Sequence, residues 1–184
     1  MTPAAKILTS RLVLRCWKPE DAPLILDAIS SSIEHLRSWM PWAAAEPLPL
    51  EQQQAKLERF AADFAAGQNQ LYGIFDAAES TVLGGSGLHF RNGDGDREIG
   101  YWLRSDAIGQ GYATETASAL ATEAFRALPI ETVTIVCDPG NVRSAAVPHR
   151  LGFENLGIFE AAVISDDRQE DQIWRVTREA WARR

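Results

Sequence analysis

The chain reads as an α+β fold, a mixed and mostly antiparallel central sheet flanked by helices, forming a single domain over residues 1–184. Three observations carry that expectation. Apolar residues recur at helical spacing early on, where Ile25, Ile29 and Ile33 stand four apart and Leu57, Phe60, Ala61 and Phe64 make one stripe. Between Leu71 and Leu103, three short β-rich segments follow one another, divided by turn residues. Beyond them a helical stretch, a β-branched stretch and a final pair of strands complete the order, with no repeat, low-complexity tract or linker.

Taken in order, Arg11–Arg15 alternates like a strand, and Pro19-Glu20-Asp21 opens a helical segment. The aromatic connector "HLRSWMPW" ends that region at Pro41. A helix is expected from about Glu51 to Ala66, with Gly67 as its stop. Leu71–Phe75, Val82–Arg91 and Arg97–Leu103 read as an antiparallel meander, and Asn92-Gly93-Asp94-Gly95-Asp96 is the strongest hairpin signal in the chain. Thr114–Ala127 returns to helical spacing and Pro129 closes it. Thr132–Cys137, "TVTIVC", is branched enough for a buried strand. A short helix from about Val142 ends at Gly152, and Leu156–Val163 and Gln172–Thr177 are two further strands joined across the polar Ser165–Asp171.

Composition excludes several functional classes. No run approaches the roughly 18 apolar residues of a membrane span, and the first ten residues lack a secretory core, so a cytoplasmic protein without membrane contact is expected. Cys16 and Cys137 form no CxxC pair, and His35, His89 and His149 have no metal-ligand spacing, so neither a disulfide framework nor a metal is expected. A formal net charge of −7 gives no long-range pull on a polyanion and argues against nucleic acid as a partner.

Gly109-Gln110-Gly111-Tyr112-Ala113-Thr114 stands between a strand and a helix, where backbone N–H groups are unpaired and the helix dipole is positive. Gly109 and Gly111 let the backbone approach a ligand, and the small Ala113 extends the clearance. On spacing alone this is an anion-binding turn or a bare glycine-rich helix entry. It is not a P-loop, because the chain has no Gly-Lys dipeptide. Nor is it a dinucleotide fingerprint, because an antiparallel hairpin precedes it and about five residues separate it from the strand.

Here the sequence resembles the GNAT superfamily of N-acetyltransferases, and within it the ribosomal-protein N-terminal acetyltransferase-like branch, over essentially the whole chain. "EIGYWLRSDAIGQGYATETASALATEAF" is similar to the family's fourth strand, pyrophosphate loop and following helix. "NVRSAAVPHRLGFENLG" is similar to its Asn-x-x-Ser to Leu-Gly-Phe segment, "LTSRLVLRCWKPEDA" to its first strand and helix, and "LRSWMPW" to a connector of that branch. The resemblance implies an acetyl-CoA donor, with its pantetheine arm against the backbone of Trp102 and Leu103 and its pyrophosphate on the amides of residues 109–114. It implies direct transfer to an amine, a protein N-terminus or a small molecule. That chemistry needs a neutral amine, a stabilised oxyanion and a proton for the departing thiolate.

Glu98 is the first candidate for the base, since alternation puts it on the face of Gly100 and Trp102; the plain alternative is a solvated hairpin carboxylate. Ser144 matches the family's serine and is the candidate acid, with Asn141 beside it toward the cofactor, although both residue types also cap helices. Trp39, Trp42 and Tyr101, together with Trp102, could wall an acceptor pocket or simply pack. Cys137 reads as a buried strand residue and His89 as a structural histidine.

Two positions depart from the family pattern. Ile108 replaces the Arg or Gln that usually opens the loop motif, which leaves phosphate to the backbone amides. Pro148 falls inside the expected short helix, where it predicts a kink or an early end near Ser144. The competing function is a non-catalytic acetyl-CoA-binding sensor or scaffold, and the oligomeric state, a homodimer included, stays open.

Overall fold

The computed structural model describes residues 2–91, 93–165 and 168–184. Its strands are β1 (Lys6–Leu8), β2 (Leu12–Cys16), β3 (Gln70–Asp76), β4 (Val82–His89), β5 (Asp96–Leu103), β6 (Thr132–Cys137), β7 (Glu154–Ser165) and β8 (Arg168–Thr177). They form one 8-stranded sheet in the order β1-β2-β3-β4-β5-β6-β8-β7. Every neighbouring pair is antiparallel except β5–β6, which is parallel. The helices are α1 (Ala22–Ser30), α2 (Ile33–Arg37), α3 (Leu50–Ala65), α4 (Tyr112–Ala127), α5 (Val142–Arg150) and α6 (Arg178–Ala182).

Side-chain alternation builds a core on each face of the sheet. Leu12 and Leu14 of β2 join Tyr72, Ile74, Leu88 and Ile99 beneath Leu120, Ala121 and Ala124 of α4. Val13, between them, turns the other way with Phe75 and Val82, and meets Ile25 and Ile29 of α1 and Leu57 of α3. Arg178 ties the C-terminal tail to the end of α4 by donating to the carbonyls of Phe125, Leu128 and Ile130. A cation there also satisfies the helix's orphan acceptors.

Three elements differ from the sequence expectation. The first helical region divides after Ser30, because the Ser32 hydroxyl accepts the backbone N–H of Ser105 at 2.8 Å and draws the chain out of the helix. The last hairpin is longer than expected: Phe159 pairs with Asp171, Glu160 with Glu170 and Ser165 with Arg168, so polar residues 168–171 lie within β8. The third is the β1 strand. In the expected Asn92–Asp96 turn, Asn92 lies outside the described residues; Gly93 has φ +91° and its carbonyl accepts from Asp96 at 3.4 Å.

The feature that makes a site is the β5–β6 pair. It is registered only through Asp96↔Thr132, Arg97↔Val133 and Glu98↔Thr134, although β5 continues to Leu103 and β6 to Cys137. The closed end is pinned by Asp96, whose Oδ1 accepts from the hydroxyls of Thr132 at 2.5 Å and Thr134 at 2.8 Å. Beyond Glu98 the two strands part.

Candidate active site

A cleft of about 1070 Å³ opens where β5 and β6 separate. Its walls come from Tyr101, Trp102 and Leu103 of β5, the 109–114 loop, one side of α5, and the α2 region as far as Met40.

The loop enters α4 through two left-handed residues, Gly109 at φ +80° and Gly111 at φ +82°, a conformation that strains any residue with a Cβ. Ile108 and Gly109 form a turn, and beyond it no protein acceptor is found for the backbone N–H groups of Gly111 to Thr114 among the described residues; the first amide after them to find one is Glu115, on Gly111 O at 3.0 Å. Four consecutive amides at a helix N-terminus, on residues that line a cleft, are a ready anion cradle. Ile108 lines the cleft and adds no charge there.

A cation does reach the loop, from a different strand. Arg11, just before β2, donates through Nη1 to Gln110 O at 2.8 Å, and through Nε and Nη2 to Glu115 Oε2, each at 2.7 Å. Its guanidinium sits 4.7 Å from the Tyr112 ring centroid. Burial works against ionisation of Glu115, yet the Thr9 hydroxyl, Arg11 and the Ser10 hydroxyl outweigh it and hold the carboxyl below the ordinary range. The peptide between Gln110 and Gly111 is planar and trans, so holding its carbonyl on Arg11 turns the Gly111 N–H away from that side chain.

Across the gap, the Tyr101 phenol meets Ser144 twice, with 3.1 Å to its carbonyl oxygen and 3.1 Å to its hydroxyl. Burial pushes the Tyr101 phenol well above its ordinary range, against a smaller opposing effect of the Ser144 bond, so it stays protonated. Asn141 caps α5 by accepting the Ser144 N–H at 3.1 Å, and both residues line the cleft. Of the two outcomes expected at Pro148, the early end is not found: the helix runs through Pro148 to Arg150, with Leu151 N–H bonded to Val147 O. Proline sits in the last turn, where the one N–H bond it removes is the bond to Ser144 O.

Trp39 and Trp102 line the cleft, while Trp42 stands behind, its ring 5.7 Å from that of Trp102 and edge-on. Gln110 contributes its main chain, since its side chain is bonded back to Asp106 O at 3.1 Å. Glu98 is buried and accepts from Arg91 at 2.7 Å, opposite His89 and Thr134 in the register, and it is not among the residues lining the cleft. His89 beside it is driven down to about 4, by burial first and then by Arg91. The cleft instead presents His35, held below the ordinary imidazole range by burial and then by Arg143, and hence neutral at neutral pH. Sequence reading did not single out Arg11, His35, Arg143 or the Tyr101–Ser144 contact as site features, because all depend on long-range approach. Among the described residues there is no cluster of three or more His, Cys, Asp or Glu suited to a metal, and no helix is long and apolar enough to cross a membrane.

Comparison with known proteins agrees with this geometry. Bacillus subtilis (strain 168) YdaF, named as a candidate ribosomal N-acetyltransferase, is 28% identical over 153 residues, which is 82% of this chain and 81% of that protein. The ribosomal protein uS5 alanine N-acetyltransferase of Escherichia coli (strain K12) is 24% identical over 173 residues, 93% of this chain and 89% of that one. Among solved structures, the ribosomal L7/L12 alpha-N-protein acetyltransferase RimL in complex with coenzyme A superposes with a TM-score of 0.82 at 20% identity, covering 93% of this chain and 96% of that one. The microcin C7 self-immunity acetyltransferase MccE, in complex with acetyl-CoA and AMP, gives a TM-score of 0.83 at 19% identity, with 92% and 93% covered. Residues 11–154, which carry the parted strands, the amide loop and the Tyr101–Ser144 contact, match the acetyltransferase (GNAT) domain, and the chain belongs to that family.

Proposed function

We propose that the protein transfers acetyl from acetyl-CoA directly to a primary amine, and that the amine is the α-amine of a protein or peptide N-terminus. The run of amides without protein acceptors from Gly111 to Thr114, at the mouth of the gap between β5 and β6, supports the donor most strongly. These amides would hold the pyrophosphate, with Arg11 as the nearest cation, and Arg143 and Arg150 on the cleft side of α5 are placed for further anionic groups of the donor. The unpaired edge of β5 around Trp102 and Leu103 would take the pantetheine arm. Acetyl-CoA supplies the activated carbonyl and the thiolate leaving group; the protein orients the amine and manages protons.

The acceptor class is supported by how little base the described residues of the cleft offer. Glu115 is consumed by Arg11, Glu98 is tied to Arg91 away from the cleft lining, and His35 is a weak base. An α-amine titrates near 8, so roughly a tenth is neutral at pH 7, whereas a lysine side chain near 10.4 would need a strong base. Relatives named for acetylating ribosomal-protein N-termini favour the same class, in the cytoplasm. Ser144 is the proton donor to the departing sulfur, and it recovers the proton that the acylated nitrogen sheds.

The test is thiol release from acetyl-CoA with three sets of acceptors: peptides with free N-termini, the same peptides blocked at the N-terminus but bearing lysine, and small amines. Release with free N-termini and at least tenfold less with lysine is expected. Cofactor binding with no release on any amine would favour a sensor, and equal rates on blocked lysine peptides would overturn the acceptor class.

A further inference from the structure

Proline in a helix interior removes the N–H that would bond the carbonyl four residues back, and its ring crowds that carbonyl off the helix axis. In α5 the proline is Pro148 and the carbonyl is that of Ser144. That oxygen accepts the Tyr101 phenol, which crosses from β5. A carbonyl oxygen can only accept, so the phenol must be the donor. Tyr101 has one proton, and its two contacts to Ser144 are equal at 3.1 Å, longer than the roughly 2.7–2.8 Å of an ordinary two-centre O–H···O bond. In the hydroxyl–hydroxyl contact either oxygen can donate, and one phenol proton shared between the two serine oxygens would account for both lengths.

We propose that Pro148 is a positioning residue for acetyl transfer: by leaving the Ser144 carbonyl open it docks the Tyr101 phenol on Ser144, and the shared phenol proton engages the serine oxygen so that the serine's own proton is free to face the cleft. The arrangement rests on the acetyl-transfer reading for its purpose, but not for its geometry. With Tyr101 held protonated by its burial, the phenol acts as a fixed donor to the serine oxygen and not as a competing acid. Accepting that bond also polarises the serine O–H toward release. The residue that looks most disruptive in the sequence of α5 therefore sets the direction of the hydroxyl beside it. An alanine at 148 would return an N–H to the Ser144 carbonyl and free the phenol from it.

Pro148→Ala separates this role from a structural one through the kinetics: kcat falls about tenfold with the KM for acetyl-CoA unchanged, whereas a general loss of packing would weaken both. Tyr101→Phe gives a similar fall, and Pro148→Ala adds nothing further in the Tyr101→Phe background. With tyrosine labelled at ring carbon Cζ, the Tyr101 resonance, assigned by its loss in Tyr101→Phe, shifts in Pro148→Ala without any donor present. An unshifted resonance, an unchanged kcat, or a full additional fall in the double variant overturns the proposal. If the wild-type protein bound acetyl-CoA but released no thiol with any amine, the acetyl-transfer reading would fail, and the Cζ resonance would still decide whether Pro148 docks the phenol.

Discussion

Arg11 shows how a single side chain can alter the reading of a loop more than 90 positions away. Ile108 brings no positive charge to the loop, and backbone amides were the main anion contacts expected. Arg11 joins them while cancelling Glu115, the one carboxylate lining the cleft among the described residues, and fixing the Gln110 carbonyl. Arg11→Met keeps a hydrocarbon cover over Tyr112 but leaves Glu115 uncompensated beside the cradle. The KM for acetyl-CoA is expected to rise about tenfold, corresponding to roughly 1.4 kcal/mol of binding. S-Acetyl-pantetheine lacks the pyrophosphate and should be used equally well by variant and wild type, which a pair of donor titrations will read. Nothing in local composition marks Arg11 for this task, since its partners come from another part of the chain.

At the scale of elements, the glycine loop was legible because its requirement is local: positive φ at two positions before a helix. Gly109 and Gly111 differ in what a side chain would meet. A Cβ at Gly109 has nothing within 4 Å, whereas one at Gly111 comes to 3.4 Å from Arg11 Nη2. Alanine at either position costs about 1–2 kcal/mol of backbone strain. Gly109→Ala should therefore lower the melting temperature with a small change in donor affinity, while Gly111→Ala also disturbs the Arg11 contact and weakens coenzyme A binding by about tenfold more than Gly109→Ala, measured by calorimetry. The meander, α3, α4, β6 and α5 were equally readable from periodicity. The split between α1 and α2 was not, because a hydroxyl contact to Ser105 decides it, and the extent of β8 was hidden by residues that are polar yet paired. Alternation placed Glu98 on a face correctly, but where along the gap that face becomes cleft depends on the point at which β5 and β6 part.

For the whole molecule, titration links site to stability. His89 packs against Gly87 and Gly100 within the sheet and is held down to about 4, from an ordinary value near 6.5. The folded state thus favours the neutral ring, and the unfolded chain takes up the proton first as pH falls. Stability is undiminished above about pH 6.5 and declines toward pH 4, by about 3 kcal/mol at most from this group. Thermal melts of wild type and His89→Gln between pH 7 and 4 should converge as pH falls, because only the wild type carries this loss; parallel curves would remove His89 from the acid response. Carboxylates titrate over part of the same range, and the difference between the two curves cancels them.

The parting of β5 from β6 also has a consequence for self-association. A sheet normally presents its unpaired N–H and C=O groups at its outermost strands, where other chains can add to them. Here a second such border lies inside the sheet, with α5 and the amide loop standing over it. No passing strand can reach that border flat on. Only a thin, extended molecule can enter lengthwise, so the fold keeps a reactive edge in its middle without inviting aggregation there.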